Sequence, residues 1–303
     1  MTTAETVRVL IFVTIVVTVY FYALKTFIGV LGGAVKNTWK TRALFAVAGI
    51  GIVCMLYGRL VEPYWLSITH VSIASSKIPR GLRLRIAHIS DTHSDPTPRL
   101  EERLPQAITA EHPDLIVFTG DAINSPEALP VFKELLQKLS AIAPTFVVRG
   151  NWDAAHWNDL DLYDRTGAVE LNGTGRVLEF RGIKVGLAGL RAGNEKNLAR
   201  ALAGIPADAF SVLLYHYPDL IKEVAARNVD LYCAGHTHGG QVAVPGYGAL
   251  VTFSKFGKQY EAGLYREGKT SLYVNRGIGM EGGNAPRVRF WARPELTIID
   301  VVP

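Results

Sequence analysis

Cysteine is nearly absent from this 303-residue chain, with Cys54 and Cys233 the only two. Cys54 sits within an apolar run and Cys233 in what reads as a core strand, so a disulfide framework is excluded and the redox compartment stays open. Charge is also scarce: 19% of residues are charged against 49% hydrophobic, an apolar balance for a purely soluble domain. The net charge of +5 is small and dispersed. With no basic tail or helix and no aromatic RNA-binding motif, nucleic acid is not an expected partner; the mild positive balance suits anionic lipid or phosphate. Internal repeats and low-complexity tracts are missing as well, which leaves one or two ordinary domains.

The apolar surplus is concentrated at the start. Residues 9–24 carry no charge, and after Lys25 the apolar character resumes to Val35; residues 43–58 form a second uncharged run between Arg42 and Arg59. A spanning helix needs about 20 apolar residues, within a range of about 17 to 25, so the first run qualifies and the second is borderline. Two transmembrane helices in residues 1–61 are the expectation. A cleaved signal peptide is the competing reading of the first run, and an interfacial or re-entrant segment that of the second. The loop between the runs carries Lys36, Lys40 and Arg42, which the positive-inside rule places in the cytoplasm, leaning the C-terminal domain to the extracytoplasmic side. Arg59, Lys77, Arg80, Arg83 and Arg85 pull the other way.

Residues 62–81 read as a strand-bearing connector, and 82–303 as an α/β domain. Short β-branched runs at 82–90, 114–120 and 144–150 are separated by helical patterns at 99–110 and 129–139; further strands are expected near 177–180, 184–190, 211–215, 231–233 and 271–275, with helices near 197–203 and 218–227. The polar residues fall at the strand ends. Asp91 and His93, Asp121, Asn151, His216, and the pair His236 and His238 each follow directly on an apolar strand. Ligands bind beyond the carboxyl ends of strands in such folds, so five strand ends delivering these groups point to one shared site. Carboxylate oxygen and imidazole nitrogen suit divalent cations, and a carboxylate can bridge two of them. Asp91, His93, Asp121 and His238 are assigned to one ion, and Asn151, His216 and His236 to another, with Asp121 bridging. His70, His88 and His112 read as structural.

The motifs S-D-T-H (90–93), G-D (120–121), G-N-x-D (150–153), Y-H-Y-P-D (215–219) and G-H-T-H-G-G-Q (235–241) resemble those of the calcineurin-like metallophosphoesterases. G-L-Y-R, Y-V-N-R-G-I-G and R-P-E-L-T near the end are similar to the membrane-associated bacterial branch. The resemblance implies a two-sheet sandwich flanked by helices, preceded here by the membrane helices. It also implies two divalent metal ions, manganese first with iron, zinc or magnesium as alternatives, and Asp121, Asn151 and Asp153 as catalytic residues, Asp153 having as its alternative a role only in capping the turn.

One position departs from that pattern. Trp152 stands where many such enzymes keep a histidine that supports the transition state or protonates the leaving oxygen. Indole is a donor that does not titrate. General-acid help is worth about 10² to 10⁴ in rate and matters most for a basic alkoxide, whereas a phosphate leaving group departs readily as an anion. The sequence therefore points to a phosphoanhydride or activated phosphoester, foremost a lipid-linked pyrophosphate such as the UDP-2,3-diacylglucosamine cleaved by similar bacterial hydrolases, at the bacterial cytoplasmic membrane. The alternatives are a broad phosphodiesterase or phosphomonoesterase acting on soluble substrates, and a silent metal-binding scaffold. His156 is a possible substitute acid. Arg149, Arg191, Arg276, Arg287 and Arg289 are candidate phosphate or nucleotide contacts, because guanidinium grips phosphate in a bidentate fork.

Overall fold

The computed structural model describes residues 1–282 and 286–303. Two long helices come first. α1 (Thr3–Leu31) opens at a capping box in which the Glu5 carboxylate accepts the Thr2 N–H at 2.8 Å while the Thr2 hydroxyl accepts the Glu5 N–H. α2 (Trp39–Leu60) runs antiparallel to it, with Tyr20 hydroxyl donating to Ala48 O at 3.1 Å and Phe27 packed edge-on against Phe45. At 29 and 22 residues both are long enough to cross a membrane, and most of their large apolar side chains face outward with no protein over them. The second helix, borderline at 43–58, is longer than its uncharged run, extending from Trp39 to Leu60 with the helix formers Lys40, Arg42, Arg59 and Leu60 in its added turns.

The end of α2 is tied to the domain. Arg289 N–H donates to Gly58 O at 2.8 Å, Ala292 N–H donates to Glu62 Oε1 at 2.6 Å, and Tyr57 packs edge-on against Phe290. The start of α1 docks on the same domain, so the loop carrying Lys36 lies at the far end of the hairpin.

The domain contains β1 (Ser67–Ala74), β2 (Leu84–Ile89), α3 (Leu104–Glu111), β3 (Leu115–Phe118), α4 (Leu129–Ile142), β4 (Thr145–Val147), α5 (Asn151–His156) and β5 (Val169–Glu170). It continues through β6 (Thr174–Phe180), β7 (Ile183–Leu190), α6 (Leu198–Leu202), β8 (Phe210–Tyr215), α7 (Ile221–Ala225), β9 (Leu231–Ala234), β10 (Ala243–Val244), β11 (Gly248–Ala249), β12 (Gly263–Glu267), β13 (Thr270–Val274) and β14 (Glu295–Val302). Two six-stranded sheets form, in the orders β1-β14-β2-β3-β4-β5 and β12-β13-β9-β8-β7-β6, beside a small β10-β11 ribbon. Successive side chains on a strand face opposite ways. Leu84, Ile86, Leu115 and Val117 accordingly meet Val185, Leu187, Val212 and Leu231 between the sheets, whereas Ala87, Ile89, Ile116 and Phe118 pack beneath α3 and α4. α6 and α7 cover the outer face of the second sheet through Leu198, Ala201, Ile221 and Val224. Burial on both faces explains why these strands read as continuous apolar runs.

This is the two-sheet sandwich flanked by helices that the motifs implied. The pattern at 99–110 starts later than expected, at Leu104, because the Glu101 carboxylate accepts the N–H groups of Arg99 and Leu100 and holds them in a turn. β14 was not foreseen at all, yet it lies between β1 and β2, parallel to the first and antiparallel to the second. Its Asp300 breaks the apolar run and is accommodated by two bonds from Arg85, at 2.7 and 2.8 Å.

Candidate metal centre

β2, β3, β4, β8 and β9 end at one edge of the sandwich, and the loops beyond them are bonded to one another. Asp91 N–H donates to Gly120 O (2.8 Å), His93 N–H to Asp121 O (3.0 Å), Ile278 N–H to Ser90 O (3.0 Å) and Gly235 N–H to His216 O (2.9 Å). The approach is too close for side chains at two glycines. A Cβ on Gly120, whose φ is +102°, would lie 2.4 Å from Gly150 N, and one on Gly235 would lie 2.2 Å from Asp91 Oδ2. Asp91, His93, Asp121, His236 and His238 all have φ between +37° and +72°, a region unfavourable to residues with a Cβ. Five strained residues at one edge mark a place where the fold holds side chains in a required direction.

Two groups result, Asp91 with His93 and His238, and Asp121 with His216 and His236; within each, the candidate ligand atoms lie within 4.8 Å of one another. One oxygen links them: Asp121 Oδ2 is 3.5 Å from His93 Nε2 and 3.2 Å from His216 Nε2. Asp91 Oδ1 faces His238 Nε2 at 3.4 Å and His216 Nε2 at 3.9 Å. None of these approaches makes the ring nitrogens of His93 or His216 hydrogen-bonded. Both Nε2 atoms, and Asn151 Oδ1, are buried without a hydrogen-bond partner among the described residues. The tautomers follow from the other ring atoms. His216 Nδ1 is 2.7 Å from Thr119 O and His93 Nδ1 is 3.1 Å from Asn124 Oδ1, so each Nδ1 carries the proton and each Nε2 lone pair points into the site. Unpartnered lone pairs converging beside buried carboxylates fit divalent cations.

The electrostatics agree with that fit. Burial pushes His236 down to about 3, helped by charge on His216, and holds His238 well below its ordinary value, so both imidazoles are neutral and ready to donate. Burial opposes charge on His216 too, but the Asp121 and Asp91 carboxylates outweigh it and raise that ring to about 9, so without a cation its Nε2 holds a proton that a bound cation would displace to take the lone pair. Burial raises Asp91. A cluster this acidic needs positive charge to be stable at neutral pH, and protons or metal ions can supply it.

The other expected residues are placed as follows. Asn151 lines the pocket over the two groups, together with Tyr217, Phe253 and Glu281. Asp153 does not reach it. Its carboxylate is fully buried and accepts the N–H groups of Asp121, Ala122 and Gly150, each at 2.9 Å, so it fixes the two turns that carry Asp121 and Asn151. Trp152 donates its backbone N–H to Asp121 Oδ1 at 2.8 Å and stacks on His156 with ring centroids 4.2 Å apart, while its indole N–H has no acceptor among the described residues.

None of the five arginines lines the pocket. Arg149 spends its guanidinium on Glu170 and on the carbonyls of Trp157 and Leu160, holding the loop after α5. Arg289 is fully buried behind His238, donating to the carbonyls of Gly279, Arg276 and Ala292. Arg276 pairs with Glu295, Arg287 with Asp95, and Arg191 with Asn158. Buried carbonyls hold Arg149 and Arg289 and carboxylates hold Arg276 and Arg287, whereas Arg191 makes its bond to the exposed Asn158 amide oxygen. Glu281, in contrast, was not singled out. It follows G-I-G-M with no motif to mark it, yet it faces the pocket, where burial raises its carboxyl.

Comparison with known proteins gives the family. The sequence profile of calcineurin-like phosphoesterases matches residues 84–240. An uncharacterized metallophosphoesterase, YkuE of Bacillus subtilis, is 35% identical over 84% of this chain and 91% of its own. The phosphodiesterase YaeI of Escherichia coli is 28% identical over 81% of this chain and 92% of its own. The UDP-2,3-diacylglucosamine pyrophosphatase LpxG of Chlamydia muridarum is 24% identical over 86% of this chain and 96% of its own.

Proposed function

This chain belongs to the calcineurin-like phosphoesterases and is a metal-dependent phosphoester hydrolase; from that premise, we propose that it is attached to a membrane by α1 and α2 and hydrolyses a lipid-linked pyrophosphate. Asp91, His93, Asp121 and His238 would hold one divalent cation and Asn151, His216 and His236 the other, with Asp121 between them. Bound there, the cations would activate water and neutralise phosphoryl oxygens. The protein's own residues hold the geometry. Thr119 O and Asn124 fix the rings of His216 and His93, Asp153 fixes the turns, and Phe253 and Trp152 line the adjoining cavity. Hydrolysis forms one P–O bond from water and breaks the bridging P–O bond, the bridging oxygen leaving on a phosphate.

The observation that carries the anhydride over other esters is Trp152. It presents a donor with no titrating proton at the position from which relatives assist the leaving oxygen. The two uncovered apolar helices and the likeness to LpxG support a lipid substrate. Incubation of the full chain in detergent with manganese and UDP-2,3-diacylglucosamine should release UMP and the diacylglucosamine phosphate. Absence of UMP, alongside rapid cleavage of simple diesters, would overturn the proposal.

A second reading, phosphodiester hydrolysis, is favoured by Glu281 and by the name of YaeI. A carboxyl raised by burial beside the pocket can protonate an alkoxide. Glu281→Gln separates the two. Under the diester reading turnover falls by about 10² to 10⁴; under the anhydride reading it changes less than about threefold.

A further inference from the structure

We propose that the first three turns of α1 form one wall of an acyl-chain site, so that the membrane helix is part of the substrate-binding surface as well as an anchor. The inference rests on the lipid reading above and extends it. A cavity of about 760 Å³ lies between α1 and the loops after β9 and β11. That volume falls within the roughly 300–1,000 Å³ of pockets that enclose whole small-molecule ligands. Val9, Phe12 and Val13 of α1 form one side, and Val242, Leu250 and Val251 the other. Its floor opens on the metal centre's own pocket: His236, His238, Phe253 and Glu281 line both, with Trp152 beside them on the cavity side.

The helix is fixed in that position. Glu5 is fully buried, and its Oε1 accepts the Thr252 N–H at 2.8 Å and the Thr252 hydroxyl at 3.0 Å. The neighbouring residue, Phe253, stands at the junction of the cavity and the polar pocket with φ of +54°, held in a conformation that an aromatic residue seldom adopts. A helix of 29 residues is about 43 Å long, about 13 Å more than the hydrocarbon thickness, so the excess at its docked end places Val9 to Val13 where the helix enters the bilayer. A chain entering from the lipid beside α1 would reach the cavity without crossing water, with its phosphorylated head at Asp121 and Asn151. The occupant is thus the acyl part of the substrate. An annular lipid that merely filled the space would have no reason to lie open to the catalytic floor.

Selectivity for chain length tests this. The full protein in nanodiscs with manganese would be given two p-nitrophenyl phosphodiesters, one methyl and one dodecyl, and the dodecyl-to-methyl ratio of kcat/KM compared among variants. Val13→Trp fills the cavity and should lower the ratio at least tenfold. Each buried methylene is worth about 0.8 kcal/mol, or about fourfold, so tenfold corresponds to fewer than two displaced methylenes. Leu250→Trp fills the opposite wall and should do the same should the α1 variant fail to insert. Val17→Trp, on α1 outside the cavity, should leave the ratio at its wild-type value. An unchanged ratio in both cavity-filling variants, or an equal fall in Val17→Trp, overturns the inference. Failure of the pyrophosphate reading looks different: no UMP is released from UDP-2,3-diacylglucosamine, yet the diester ratio still responds to Val13→Trp.

Discussion

Replacing Trp152 by histidine should restore help to a poor leaving group, and its size follows from the surroundings. The backbone N–H of residue 152 donates to Asp121 Oδ1 at 2.8 Å and is kept in the variant, so the new ring starts from the same Cα beside the pocket. In other enzymes a general acid contributes about 10² to 10⁴. The lower end applies here, because the Asp153 carboxylate is committed to three backbone N–H groups and is not free to orient an imidazole. Trp152→His should therefore raise kcat for an alkyl phosphodiester by about 10² while changing p-nitrophenyl ester or pyrophosphate turnover by less than about threefold. Loss of the stack on His156, centroids 4.2 Å apart, should cost about 1 kcal/mol of stability. The assay is a plot of log kcat against leaving-group pKa: steep for the wild type, shallower for the variant. A wild-type slope that is already shallow would refute the reasoning and point to Glu281 as the proton source.

Three other substitutions probe the supports of the site. Gly235→Ala puts a Cβ 2.2 Å from Asp91 Oδ2, so the carboxylate must move; bound metal per chain, measured by elemental analysis, should fall, with about 1–3 kcal/mol of overpacking in the unfolding midpoint. Arg149→Lys loses the bonds to the Trp157 and Leu160 carbonyls and should lower stability by about 2 kcal/mol, read by thermal melting, with KM for a p-nitrophenyl ester within twofold; a large rise in KM would return this arginine to the substrate. His88 is fully buried and held at about 3, against 6.5 when unfolded, so the unfolded chain binds the extra proton between those values. Its contribution is complete above pH 6.5 and is lost as pH falls toward 3, amounting to about 5 kcal/mol. His88→Gln should flatten stability against pH across that window, and an unaltered slope would show that other groups dominate.

The convergence of the candidate ligands on one edge was legible because strand ends carry a strong signal. An apolar run of four to six residues followed at once by Asp, Asn or His leaves that polar group nowhere to go except the loop edge, and five such ends in an α/β alternation must share an edge. Asp121 and the His236–Thr237–His238 turn were readable in this way, and the lone pairs left unpartnered at His93 and His216 give that pattern its physical content. The partners of the arginines were not legible, for the opposite reason. Guanidinium is as well suited to three buried carbonyls as to a phosphate, and nothing in the sequence near Arg289 tells that Gly279, Arg276 and Ala292 will present theirs. β14 was invisible because its partners, β1 and β2, lie more than 200 residues away, so its worth as a strand depends on pairing that no local window contains. The docking of α1 is the extreme case. Glu5 looks like the solvated start of a membrane helix, and its first-turn position already explains its presence as a cap. Only the fold shows that its second carboxylate oxygen is taken by Thr252, and that this bond turns a hydrophobic run into a wall of the catalytic cavity. A residue whose local role is already satisfied gives no hint of a distant one, which is why helix anchors of this kind escape sequence reasoning even where metal ligands do not.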